Sequence, residues 1–359
     1  MTTVNRATTG IGSLPHHNVD AALEYSFRLG IPFLPQIPLR NPWEYMIAQA
    51  LDGLPGLQAE TDGTVKLNSE IWKSHASEFG EKLDLAFRST RPDAFEAFEP
   101  TASTSSSWLP FLWELRERKI KRAKIQIAGP MTCQWVLKLK DDSPLESHTE
   151  LAGQIYKLVL AKSLAMTRKL RQEGISPILY LDEPALYGFT RSNPKHLLGI
   201  QELKILIQTL KKENVQVGLH CCSNTDWSSV LDLGLNILSF DTALSLDHLL
   251  DDKHRGNVEK FMQAGGKLSL GVVPTSRSSA YGLHALDVKD LFSELLDALA
   301  MHWESRPDLV QKLLTEAIFT PACGLALHSP QDAEFILETL NGFYDHVSAF
   351  LLDQTHGHG

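Results

Sequence analysis

Six residues hold most of the reactive chemistry this sequence offers: His220, Cys222 and Cys323, the carboxylate Asp241, and the adjacent pair Asp182 and Glu183. His220 and Cys222 are separated by one residue, so in an extended strand they share a face while Cys221 points the other way. Zinc takes about four nitrogen, sulfur or oxygen ligands. His220, Cys222 and Cys323 form such a set, with Asp241 as a displaceable fourth member. Zinc held by two thiolates is a weak Lewis acid toward water, but it binds a third thiol readily and lowers its pKa. That chemistry favours alkyl transfer to a thiol over hydrolysis. Any one cysteine alone, Cys133 for instance, reads first as a small buried hydrophobe.

Neighbouring residues on a strand face opposite ways, so one of Asp182 and Glu183 reaches a shared mouth. It reads either as the partner of an amino-acid substrate's ammonium group or as half of a structural salt bridge. Ser13, beside the backbone of Gly12, offers hydroxyl and N–H donors for a substrate carboxylate. His16 and His17 follow it, one of them a surface residue by default. Trp43, Trp135 and Trp227 are candidates for an aromatic wall at the mouth.

These residues need a scaffold that gathers them. Eight short apolar runs recur along the chain, at 7–15, 31–38, 123–130, 175–184, 215–222, 236–243, 266–274 and 316–324. Their near-continuous apolar character is that of strands buried on both faces of a parallel sheet. Amphipathic helical patterns separate most of them, at 18–29, 147–173, 197–213, 225–234, 254–264, 287–303 and 329–352, the second ending at Gly174 as a C-cap would. Eight strands alternating with helices predict an α/β fold, a (β/α)8 TIM barrel spanning residues 1–359 as one catalytic domain. An open doubly wound sheet is the alternative, disfavoured because no glycine-rich dinucleotide loop follows the first strand. Residues 40–120 exceed a plain βα unit and read as a partly helical insertion at the catalytic end, with a short hairpin at 57–68. In such a barrel the strand ends share one mouth, which brings together Ser13, Asp182, His220, Asp241 and Cys323.

Composition narrows the function classes. The 359 residues carry 34 Lys plus Arg against 43 Asp plus Glu, a net charge of −9 without basic clusters, which disfavours nucleic-acid binding. No run of apolar residues is long enough for a membrane span, and the first residues lack a signal-peptide core. A cytoplasmic protein acting on a small molecule is expected, its cysteines reduced.

Five motifs in order then resemble a known family: Thr9-Gly10-Ile11-Gly12-Ser13-Leu14-Pro15, Gly129-Pro130-Met131-Thr132, Asp182-Glu183-Pro184-Ala185-Leu186, His220-Cys221-Cys222 and Cys323-Gly324-Leu325. They resemble the C-terminal catalytic barrel of cobalamin-independent methionine synthase, from Ile11 to about Leu325. The resemblance implies a zinc-dependent methyltransferase that acts on homocysteine to give methionine, in the superfamily that also holds uroporphyrinogen decarboxylase. It implies His220, Cys222 and Cys323 as zinc ligands, Ser13 and Asp182 on the homocysteine side, and Glu44 as a further partner of the ammonium group.

The sequence departs from the family in three places. Asp241 stands on the strand where the family has a ligating glutamate. Ser276, or Thr275 beside it, falls where the family carries a histidine that acts as proton donor, which makes Ser276 the candidate at the catalytic-acid position. A hydroxyl is a poor general acid, so the methyl donor stays open between a methylated folate and a methylated corrinoid, the latter delivered by a partner protein. The family's second, N-terminal barrel has no room in this chain. Two alternatives stand beside this reading: a metal-free decarboxylase, which would need an arginine cluster where only Arg40 stands, and a non-catalytic zinc- or thiol-binding barrel.

Overall fold

The computed structural model describes residues 6–140, 145, 148–275 and 286–356. In chain order the strands are β1 (Leu57–Ala59), β2 (Val65–Leu67), β3 (Arg122–Ala128), β4 (Lys138–Leu139), β5 (Ser176–Asp182), β6 (Gln216–Cys221), β7 (Ile237–Asp241), β8 (Lys267–Val273) and β9 (Ile318–Pro321). Six of them form one curled parallel sheet in the order β3-β5-β6-β7-β8-β9. Helices connect its strands, as parallel pairing requires.

The first two expected strands differ from the prediction. Segments 7–15 and 31–38 are extended, but they join the sheet only through isolated parallel bridges: Thr8 to Phe319, Ser13 to Gln36, and Phe33 to Lys124. For segment 31–38 the physical cause lies in Pro32, Pro35 and Pro38, which have no N–H to donate to a continuous ladder, and Pro321 at the end of β9 likewise has none to offer segment 7–15. The donors that remain are used. Thr9 N donates to Phe319 O at 3.0 Å, Ile31 N to Thr8 O at 2.9 Å, Gln36 N to Gly12 O at 3.0 Å and Leu34 N to Lys124 O at 2.9 Å.

Side-chain alternation sorts the two faces of the sheet. Ile125, Ile127, Leu179, Leu181, Val217, Leu219, Leu238, Phe240, Leu268 and Leu270 join one large core shared with the helices. The residues between them occupy the concave face. There Ile31, Ile178, Tyr180, Ile237 and Ile318 form a separate small cluster. The same face also carries the buried polar groups Lys124, Gln126, Asp182, His220, Ser239, Ser269 and Thr320, with Lys124 opposite Ile178, Gln126 opposite Tyr180 and Ser269 opposite Ile318. The helix Thr149–Gln172 ends as the sequence predicts: Gly174 adopts φ +73°, and its N–H and that of Ile175 close onto Arg171 O and Leu170 O. Three helices among the described residues outside the insertion escape the periodicity, Pro130–Val136, Thr242–Leu249 and Pro307–Glu316.

Residues 40–120 hold the helices Met46–Leu51, Ser69–Arg88 and Trp108–Glu117, together with the expected hairpin, β1 against β2, which β4 extends. Amide side chains tie this insertion to the sheet: Gln36 Nε2 donates to Gln49 Oε1 at 2.7 Å, and Gln49 Nε2 to Thr104 O at 2.7 Å. Among the described residues, no helix is long and apolar enough to cross a membrane.

One buried carboxylate locks the ends of β3 and β5 together. Glu183 is fully buried and accepts from Met131 N (3.1 Å), Thr132 N (2.7 Å) and Thr132 Oγ1 (2.6 Å), at the start of the short helix Pro130–Val136. Gly129 makes room for it, since a Cβ there would lie 2.1 Å from Glu183 Oε1. Gly129→Ala must therefore displace the carboxylate and strand buried donors. We expect a loss of about 2–4 kcal/mol in urea unfolding; an unchanged midpoint would contradict this packing.

Candidate metal centre

β5 and β6 are neighbours in the sheet, and the curl of the sheet brings the residue after β9 near the end of β6, with β7 and β8 between them in strand order. The parallel register sets Asp182 against His220, and His220 against Ser239 on β7. β6 then continues to Cys221, whose side chain joins the large apolar core, and to Cys222, which is half-buried. Beyond β9, Cys323 is half-buried as well. The ligand atoms of His220, Cys222 and Cys323 all lie within 4.8 Å of one another, the group of metal-ligating type found among the described residues.

The donor set fits a metal ion. His220 is buried, and its Nδ1 is 3.0 Å from Ser239 Oγ. That contact leaves Nε2, which is buried and has no hydrogen-bond partner, as the nitrogen available to a metal. The Cys323 thiol, and then the His220 ring, hold the Cys222 thiol well below the ordinary thiol range, while Cys323 is pushed up by its neighbour and by burial. A soft divalent ion would hold both sulfurs as thiolates and displace their protons.

Around the three residues stand groups suited to a polar substrate. Asp182 is buried with Oδ1 unpartnered; burial pushes its carboxyl up, and the Lys124 ammonium opposes the shift. Lys124 is itself fully buried and pushed down, and it donates to Ile11 O at 2.5 Å and Gln126 Oε1 at 3.1 Å above the Tyr180 ring. Ser13 is half-exposed and abuts the residue after Cys323: a Cβ on Gly324 would lie 2.3 Å from Ser13 Oγ, and Leu325 N donates to Ser13 O at 2.8 Å. The close approach explains why position 324 is glycine.

Other candidates are placed differently. Asp241 is half-exposed and lies outside the His–Cys–Cys group; its Oδ1 accepts from Leu244 N at 3.2 Å as the N-cap of helix Thr242–Leu249. Glu44 is fully buried with both oxygens held by protein donors, Ile37 N at 2.9 Å and Ser106 N and Oγ at 2.9 and 2.6 Å. Together with Glu183 it serves as an internal clamp, because carboxylates near a strand end are also the natural acceptors for loop N–H groups. Trp227 leaves the proposed aromatic wall, being fully buried against Phe240. His16 is buried against Glu334, and His17 is exposed. Ser276 lies outside the described residues. Ser239 and Lys124 were missed from sequence. Their signal was a polar residue at alternate positions of an otherwise apolar strand.

Ser239 Oγ, 3.0 Å from His220 Nδ1, holds the ring in one orientation. Ser239→Ala is expected to weaken zinc affinity about 10–100-fold in chelator competition, with Ser239→Thr close to the native value. Equal affinity in Ser239→Ala would remove this role.

No protein-family model matches the chain, and no curated protein matches it in sequence. In shape the chain is similar to a methyltransferase from Methanosarcina mazei, with a TM-score of 0.52 and 15% identity over 91% of this chain and 84% of that one. At that identity the likeness establishes a shared fold across most of both chains.

Proposed function

We propose that the chain is a zinc-dependent methyltransferase that moves a methyl group to a small thiol, homocysteine being the best candidate and methionine the product. The observation that carries this reading is the convergence of His220, Cys222 and Cys323 within 4.8 Å beside the unpartnered oxygen of Asp182. In this reading segments 7–15 and 31–38 close the curled sheet into an eight-stranded barrel whose mouth is the site. The three residues would hold the ion, and zinc there supplies a lowered pKa to a bound thiol, so that a nucleophilic thiolate exists near neutral pH.

The chain's own groups do the rest. Asp182 Oδ1, already desolvated and without a donor, accepts from the substrate ammonium. Lys124 favours the ionised form of Asp182 from below. Ser13 Oγ, held against Gly324, donates to the carboxylate. Two anchors on either side of the ligand set fix the acceptor in line with an incoming methyl group, and most of the rate would come from that positioning. Ser276 would stand at the place of a leaving-group acid. A hydroxyl there favours a donor whose leaving group needs no proton, a methylated corrinoid carried by a partner protein, over a methylated folate. The methyltransferase activity of the similarly folded Methanosarcina mazei protein agrees with group transfer. A cytoplasmic setting agrees with the free, reduced cysteines.

The test is methyl transfer to homocysteine, from methylcobalamin and from methyltetrahydrofolate, by the native chain and by Asp182→Asn. We expect turnover with at least one donor, and a loss of about 2 kcal/mol or more in kcat/KM for homocysteine in the variant. A thiol acceptor without an ammonium group should lose little. No transfer from either donor by zinc-loaded protein, or an Asp182→Asn variant equal to native, would overturn the assignment.

A further inference from the structure

Away from the His–Cys–Cys group, a cavity of about 650 Å³ opens between the segment after β3 and the first turns of helices Thr149–Gln172 and Pro194–Lys212. None of the three metal-ligating residues lines it. Its volume is that of a small-molecule site. The walls include Leu137, Leu139, Leu198 and Trp135. Trp135 packs on His196, the rings tilted by 34° with centroids 4.3 Å apart, yet remains 36% exposed. A large aromatic surface is thus held rigidly and left open.

Two further observations point to an occupant. Gly153 lies inside a helix, where glycine is unfavourable by about 1 kcal/mol relative to alanine. Packing does not demand it, because no atom lies within 4 Å of where its Cβ would stand. By contrast Gly199, on the facing helix, is explained by Met131, 3.1 Å from its Cβ position. Glycine at 153 keeps cavity space clear. Second, Glu202 lines the cavity half-buried and without a hydrogen bond or ion pair, and burial pushes its carboxyl up. The Tyr156 hydroxyl, within the electrostatic reach of Glu202, is buried and also unpartnered. Lys138 and Lys195 stand at the exposed rim, so the half-buried charge is the carboxylate.

We propose that this cavity is a second binding site, for a small primary amine carried on an aromatic body, the ring lying on Trp135 and the ammonium donating to Glu202. An aromatic face beside a desolvated, unpaired acid recognises a cation on an apolar stem, through stacking, charge and cation–π attraction together. The inference is independent of the metal centre.

Titration of the full chain with 2-phenylethylamine, 2-phenylethanol and 3-phenylpropanoate, followed by calorimetry and ligand-observed NMR, tests it. The amine should bind at least roughly tenfold more tightly than the alcohol, and the acid more weakly still. Glu202→Gln should remove that preference while leaving the alcohol unchanged. Gly153→Leu should abolish binding of both with no loss of melting temperature, since leucine favours helix and its Cβ enters open space. If that variant fails to fold, the amine-to-alcohol ratio in Glu202→Gln still decides. Equal binding of the three compounds, no binding of the amine at millimolar concentration, or a preference that survives Glu202→Gln would overturn the proposal.

Discussion

A strand in a parallel sheet sends successive side chains to opposite faces, and here nearly everything follows from that period of two. One face of β3 and β5 through β8 is apolar without interruption, because helices cover it. The other face has no helix to pack against and is filled by its own side chains. Apolar residues fill part of it, in the cluster of Ile31, Ile178, Tyr180, Ile237 and Ile318. Polar residues share those rungs, Lys124 pairing in register with Ile178, Gln126 with Tyr180 and Ser269 with Ile318, and Asp182 and His220 stand near the ends of β5 and β6. Asp182, His220 and Ser239 thus belong to one neighbourhood by register alone, before any specific interaction between them is considered.

Burying so many polar groups on one face is costly unless each finds a partner. Several do: His220 with Ser239, Lys124 with Ile11 and Gln126, and Glu183 with the Met131–Thr132 backbone. Others do not, and two of these, Asp182 Oδ1 and His220 Nε2, stand on adjacent strands beside the two thiols. A fold that satisfies Glu183 and Glu44 three times over yet leaves Asp182 and His220 unsatisfied has set two groups aside for something other than the protein itself. Closely opposed thiols at Cys222 and Cys323 make a soft metal ion the natural complement to the histidine nitrogen.

Much of this was legible in the sequence. The His-x-Cys spacing is readable because strand geometry converts it directly into a shared face. Cys323 is readable because its run ends at the same level. The ends of helices were legible where caps announced them, as at Gly174. What failed did so for specific reasons. Pro32, Pro35 and Pro38 were visible, but their cost to the pairing of segment 31–38 depends on which N–H groups the neighbours need. Asp241 and Glu183 were read for their charge, whereas their positions at helix starts made backbone N–H groups nearer and cheaper partners. Glu44, implied by family resemblance, is likewise consumed by a loop. Ser239 stood out only as a polar residue on an apolar strand, because serine there carries no chemistry until a histidine is placed beside it.

The central claim is that three residues from two strand ends hold one soft metal ion. Its most direct test is elemental analysis of protein purified under reducing conditions, with zinc X-ray absorption to count sulfur ligands, for the native chain, Cys222→Ser and Cys323→Ser. The account predicts about one zinc per chain with two sulfur ligands, and loss of the metal in both variants. A native chain without metal, or zinc retained with an unchanged sulfur count in both variants, would contradict it.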